Sequence, residues 1–243
     1  MTVIALVSMK GGVGKTTIAL GLASAGLARG QRVLVVDADP LANATGVLDA
    51  REPGDEAGTG PWPSRWGTQV DLAAGSILDH GLAGLDAAHD IVIIDSPPSL
   101  TEASINALRS ADVAVIVTEP GFFAVQGAHR PLEAIASLRR SQNPRLATPT
   151  IIVNRLRTTS PEHVTCELTL RAAYGELVHA TVIPERFAIQ QTQALRVPIH
   201  AWNSPAGREL SRIYDVLYAH LLGESSLIGP HRIGSQGTGS RAS

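Results

Sequence analysis

The chain has 243 residues, of which 44% are hydrophobic and 17% charged, with a formal net charge of −2 and one cysteine, Cys166. The apolar content suits a packed core and excludes a disordered chain, the charge excludes a uniformly basic nucleic-acid binder, and a lone thiol excludes an internal disulfide, a cysteine-cage zinc site or an iron–sulfur cluster within one chain. No apolar run approaches the roughly 20 residues of a membrane span, and the opening Met-Thr-Val-Ile-Ala-Leu has no basic leader, so a cytoplasmic protein is expected.

In chain order, Thr2 to Ser8 reads as a buried strand, Met9 to Thr17 as a glycine-rich loop, and the following stretch to about Arg29 as a helix closed by Gly30. Arg32 to Asp37 is a second strand, and strand–helix–strand implies parallel strands covered on both faces. The rhythm recurs in a strand at Asp90–Asp95, a helix at about 101–110, a strand at Val113–Thr118, a helix at about 125–139 and a strand at 150–154. Val178–Ile183 reads as a further strand, and a last helix over about 205–222 aligns Leu210, Ile213, Tyr214, Leu217 and Leu221 on one face. These elements predict one α/β domain over residues 1–224, a mostly parallel twisted sheet with helices on both faces. Residues 50–67, rich in Gly, Pro and charge, interrupt it with Trp62 and Trp66, and the Gly/Ser-rich residues 225–243 read as a disordered tail.

Gly11, Gly12, Val13, Gly14, Lys15, Thr16 and Thr17 stand between the first strand and the first helix. Glycines let backbone wrap closely around phosphates, and a helix N-terminus adds positive potential there. In such a loop Lys15 reaches the terminal phosphates and the Thr16 hydroxyl binds Mg²⁺. The chain has 20 basic residues, yet its only lysines are Lys10 and Lys15, both in this loop. Arg-rich coding accounts for the general replacement but not for two lysines kept five residues apart, where a compact ammonium is not interchangeable with a guanidinium.

Lys-Gly-Gly-Val-Gly-Lys-Thr-Thr resembles the deviant Walker A motif of the ParA/MinD family of signature-lysine P-loop ATPases. The resemblance continues through Val33–Pro40 (VLVVDADP), Ile91–Pro98 (IVIIDSPP, similar to a Walker B and switch II), Ile151–Arg155 (IIVNR), Val182–Pro184 and Ser204–Ala206. It implies an ATP- and Mg²⁺-dependent ATPase of P-loop fold in which Lys10 crosses a nucleotide-sandwich homodimer to the partner's ATP. Asp39 would position the attacking water, Asp37 would support the Mg²⁺ shell and Asp95 would hold a Mg²⁺-bound water. Asn154 would recognise adenine, Pro184 would complete the base pocket, and Arg155 would either stack nearby or lie on the surface. Leu41 departs from the family's Asp-Pro-Gln, which puts a polar switch contact in doubt and implies slower or more partner-dependent hydrolysis. His129 and Cys166 have no companions that suggest chemistry and read as structural.

Among relatives, one cysteine per chain excludes those that need paired cysteines, and a tail without an amphipathic pattern argues against stable membrane association of the MinD kind. The ParA branch remains: partition or positioning ATPases that bind DNA nonspecifically on the nucleoid and move plasmid, chromosome or protein cargo. A ParB-like adaptor or cargo-linked activator is the implied partner. A MinD-like membrane regulator and a metabolic ATP-dependent enzyme are the alternatives. Residues 128–160 carry six arginines against one glutamate, so Arg139, Arg140, Arg145 and Arg157 are candidate DNA contacts, with a merely solvated face as the other reading. The 50–67 segment carries two readings as well: an adaptor-contacting loop, or packing over its own sheet edge.

Overall fold

Val3 to Val7 is buried without a polar interruption on either face, which a strand covered by helices on both sides requires. In the computed structural model, which describes residues 1–51 and 60–224, this is β1 (Thr2–Val7) at the interior of a seven-stranded sheet. The other strands are β2 (Val33–Asp37), β3 (Trp62–Ser64), β4 (Gly67–Ala74), β5 (Ile91–Asp95), β6 (Val113–Thr118) and β7 (Thr150–Val153). Their order is β3-β4-β2-β5-β1-β6-β7, and every pairing is parallel except β3 with β4. The helices are α1 (Lys15–Ala28), α2 (Asn43–Leu48), α3 (Glu102–Ser110), α4 (Ala124–Ser141), α5 (Pro161–Tyr174), α6 (Phe187–Ala194) and α7 (Pro205–Leu221). Two apolar layers result, one under α1 and α7 and the other under α3 and α4.

Because the strands are parallel, their C-terminal ends, with the loops that follow β1, β2, β5, β6 and β7, gather on one side of the sheet, where α/β folds bind ligands. Helix α1 leads away from that side and is locked against α7. Tyr214, fully buried, fills the notch left by Gly21, where an added Cβ would lie 2.1 Å from the ring.

One expectation fails. Val178–Ile183 is not a strand: it touches the chain beside it at two isolated bridges, Ile151 with Val178 and Leu156 with Pro184. Between them the backbone bends at Ala180 and Thr181, held by the Thr181 N–H donating to His179 Nδ1, and Pro184 has no N–H to extend a ladder. Of the two readings of the 50–67 segment, Trp62 and Trp66 follow the one in which they pack over the sheet's own edge. Trp62 donates its indole N–H to Asp49 at 3.1 Å beneath the Arg51 guanidinium, and Trp66 donates to the Arg196 carbonyl at 3.1 Å. Both pack against the α1–α7 core, so their aromatic area covers the sheet's own edge. The rest of that insertion, 52–59, and the predicted tail, 225–243, lie outside the described residues.

Candidate functional site

The loop after β1 needs backbone that only glycine adopts freely. Gly12 and Gly14 have φ of +80° and +92°, and Gly14 caps α1 in the left-handed region. The first N–H of α1 to find an acceptor is that of Ile18, on Gly14 O at 3.1 Å, so the N–H groups of the first turn open onto the loop. Asn154, at the end of β7, is buried under the loop and donates to Val13 O at 2.7 Å. A Cβ on Gly14 would meet its Nδ2 at 2.1 Å. Asn154 is thus brought to the loop's backbone rather than to an open base pocket, and its buried Oδ1 has no partner among the described residues.

Lys15 lies along the floor, buried, with Nζ donating to Ser8 Oγ at 3.1 Å. Burial lowers its pKa, while the Asp95 and Asp39 carboxylates pull it back up. Thr16 Oγ1 donates to Asp95 Oδ2 at 2.6 Å, and the other Asp95 oxygen is buried without a partner. Burial pushes the Asp95 carboxyl up to about 7. Adjacent in the sheet, Asp37 accepts from both the N–H and the hydroxyl of Thr45 at 2.7 Å, which ties β2 to α2. Burial raises its pKa too, against the lowering effect of the Thr45 bonds. Asp39, one turn farther out, accepts from the Leu41 N–H at 3.0 Å, and Leu41 itself is 74% exposed.

Lys10 does not join Lys15. Its side chain is 72% exposed and pairs with Glu119 Oε1, while Arg155 approaches Glu119 Oε2 at 3.6 Å. Arg155 takes a φ of +56° two residues past the end of β7, and its side chain lies half exposed in this surface ion pair. Pro184 stands beside it through the Leu156 bridge. Lys10 also lines a cleft of about 420 Å³ with Glu119, Phe122, Phe123 and Arg130, whose two phenylalanines are largely exposed and stack edge to face.

The candidate DNA-binding arginines do not form one surface. Arg139 and Arg140 end α4, and Arg145 follows near the N-terminal ends of the strands, since Asn143 binds the Leu108 and Ala111 carbonyls and the Ala147 N–H binds Asp112 O. That is the side opposite the glycine-rich loop. Arg157 lies past β7 on the loop's side, paired with Glu185. Sequence spacing joined residues that the α4 axis separates. Missed altogether were Arg208 and Arg212, one turn apart on α7, which line an open cleft of about 390 Å³ with His200, Trp202 and Asn203. Their i, i+4 spacing in RELSR was the available signal.

Residues 4–199 match the CobQ/CobB/MinD/ParA nucleotide binding domain. The chain is 34% identical to the chromosome-partitioning ATPase Soj of Thermus thermophilus over 242 aligned residues, covering 90% of this chain and 96% of that one. Its fold is shared with an aspartate-to-alanine variant of Cyanothece McdA in complex with ATP, at a TM-score of 0.78 and 21% identity, covering 94% and 99% of the two chains. Cobyrinic acid a,c-diamide synthase from Mycobacterium smegmatis, solved with ADP and magnesium, gives 0.73 at 22% identity, covering 95% of this chain and 100% of that one.

Proposed function

This chain belongs to the CobQ/CobB/MinD/ParA nucleotide-binding family, and from that premise we propose that it is a partition or positioning ATPase, dimerised by ATP and carried on DNA. Likeness to Soj over nearly both full lengths supports the partition branch above a metabolic enzyme, whereas the fold alone is common to both. The observation that carries the reading is the division of labour between the two lysines. Lys15 is buried beneath the loop, where it meets the phosphates of its own nucleotide, and Lys10 is exposed on the surface, where a second molecule can reach it.

Each remaining role rests on placement. The loop N–H groups from Gly11 to Thr17 cradle phosphate oxygens. Thr16 and Asp95 fit Mg²⁺, because an orphaned carboxylate oxygen and a hydroxyl already oriented by that carboxylate are hard oxygen donors. Bound there, Mg²⁺ supplies positive charge to the phosphate oxygens during transfer. Asp37 braces β2 against α2 beside it, and Asp39 faces the loop mouth, where its carboxylate orients the attacking water. Arg155 and Pro184 border the base, and Asn154 fixes the loop's height above β7. With exposed Leu41 in the switch position, the site lacks one polar contact, so turnover is slow until an adaptor or cargo-linked activator completes it.

DNA binding follows from doubling: a protein of net charge −2 gains two copies of each arginine cluster on one rigid body when it dimerises. The test is sedimentation of the chain with two unrelated DNA duplexes or with anionic vesicles, in ATP and in ADP. ATP-dependent binding to both duplexes alike, weakening with salt, is expected. Vesicle binding without DNA binding would favour a membrane regulator, and binding to neither would favour a metabolic enzyme. Charge reversal at Arg139, Arg140 and Arg145 against reversal at Arg208 and Arg212 then assigns the surface.

A further inference from the structure

The carboxylate that holds Lys10 is an obstacle to the reading just given. Glu119 follows β6 and Arg155 follows β7, and the Asn154 N–H to Thr118 O bond of 2.8 Å fixes those two strand ends side by side. Glu119 therefore stands at a set place, only 23% exposed, with one oxygen turned to Lys10 and the other to Arg155. Lys10, at 72% exposure, buries no apolar stem of consequence to hold it there. Among the described residues, the partner of its ammonium is this carboxylate.

We infer that Glu119 is a positioning residue that keeps Lys10 on its own protomer, so that dimerisation must break this pair on each side before Lys10 reaches the partner's nucleotide. The inference rests on the ATP-dimer reading above and adds to it the residue that sets the dimer's threshold. An exposed ion pair is worth about 1.4- to 5-fold in an equilibrium constant, and two-fold symmetry breaks two, so removing the charge tightens the dimer by about 2- to 25-fold. Arg155 shares the carboxylate and keeps the hold on Lys10 weak enough to be reversible.

The composition provides a direct probe, because Lys10 and Lys15 are the only lysines. In protein labelled at the lysine ε-carbon, Glu119→Gln should move the Lys10 resonance and leave the Lys15 resonance in place. Light scattering in ATP across a protein dilution series should give a dimer dissociation constant about 2- to 25-fold lower for Glu119→Gln. Glu119→Asp, which restores the charge, should return it toward the wild-type value. A thermal melt confirms that each variant is folded. If wild type dimerises in ATP but Glu119→Gln dimerises no more tightly, or the Lys10 resonance is unmoved, the inference is overturned while the dimer reading survives. A wild-type chain that stays monomeric in ATP overturns both.

Discussion

Helix α1 begins and ends in opposite environments. At its N-terminus the structure is left open: two glycines hold left-handed backbone, and among the described residues the first-turn N–H groups lack acceptors and the carboxylate of Asp95 and the amide of Asn154 each bury an oxygen without a partner. Two turns on, against α7, the polar groups are matched. Ser24 Oγ bonds His200 Nδ1 at 2.7 Å and accepts the His200 N–H, and His200 Nε2 meets Asp215 at 3.2 Å. A serine, histidine and carboxylate in line resemble a hydrolytic triad, yet Ser24 is 1% exposed and no substrate could reach it. The network ties α1 to α7 and the 3-10 turn at Ile199–Ala201. Unpaired polar atoms cost folding free energy and persist where a ligand completes them. The closed seam is stability, and the open end is function.

Substitutions at the two ends should therefore separate binding from stability. The largest effect belongs to the open end: Lys15→Ala should abolish ATP binding in a calorimetric titration while moving the melting temperature little, and Gly14→Ala should abolish binding with some loss of stability as well. Gly14→Ala fails because its Cβ strikes Asn154 from a left-handed backbone. At the seam, Gly21→Ala should do the reverse. Its Cβ overlaps the buried Tyr214 ring, so the chain should lose about 1–3 kcal/mol and several degrees of melting temperature, with ATP affinity in the folded fraction preserved.

Asp95 sharpens the contrast through pH. With its pKa raised to about 7, the folded, ligand-free chain keeps a proton that the unfolded chain releases near its ordinary, lower value. This group's contribution to stability is therefore fully present below the ordinary value, declines above it and is lost as pH rises through about 7. Melts without nucleotide should fall as pH is raised across that window, and Asp95→Asn should flatten the dependence and end magnesium-stimulated ATP binding. The smallest effect is Ser24→Ala, expected to cost about 1–2 kcal/mol by leaving His200 without its partner, with ATPase activity unchanged. A loss of activity there would mean the seam is coupled to the site after all.

The parts legible in the sequence were those with one physical cause. The buried strands β1, β2, β5, β6 and β7 are short apolar runs, and the loop's glycines and lysines admit few other uses. Elements that depend on tertiary context were not legible. Helix α5 buries little beyond Leu170 and so shows no apolar stripe. Strand β4 alternates, with Val70 and Leu72 inward, but follows directly on an insertion rich in turn residues. The run at Val178–Ile183 had the composition of a strand without a partner in register. At the site, each residue expected from the motifs gathers at the C-terminal ends of the strands. Spacing revealed neither that Asn154 supports the loop from beneath nor that Glu119 holds Lys10, because both meet the loop after β1 only through the β1–β6 and β6–β7 pairings.

The central claim is that two lysines of one loop serve two different nucleotides. Lys10→Ala and Lys15→Ala should be compared by ATP titration and by light scattering of the same samples. Lys10→Ala should bind ATP with near wild-type affinity yet remain monomeric at concentrations where the wild type is dimeric, whereas Lys15→Ala should bind no ATP. A Lys10→Ala protein that dimerises in ATP as the wild type does would contradict the account.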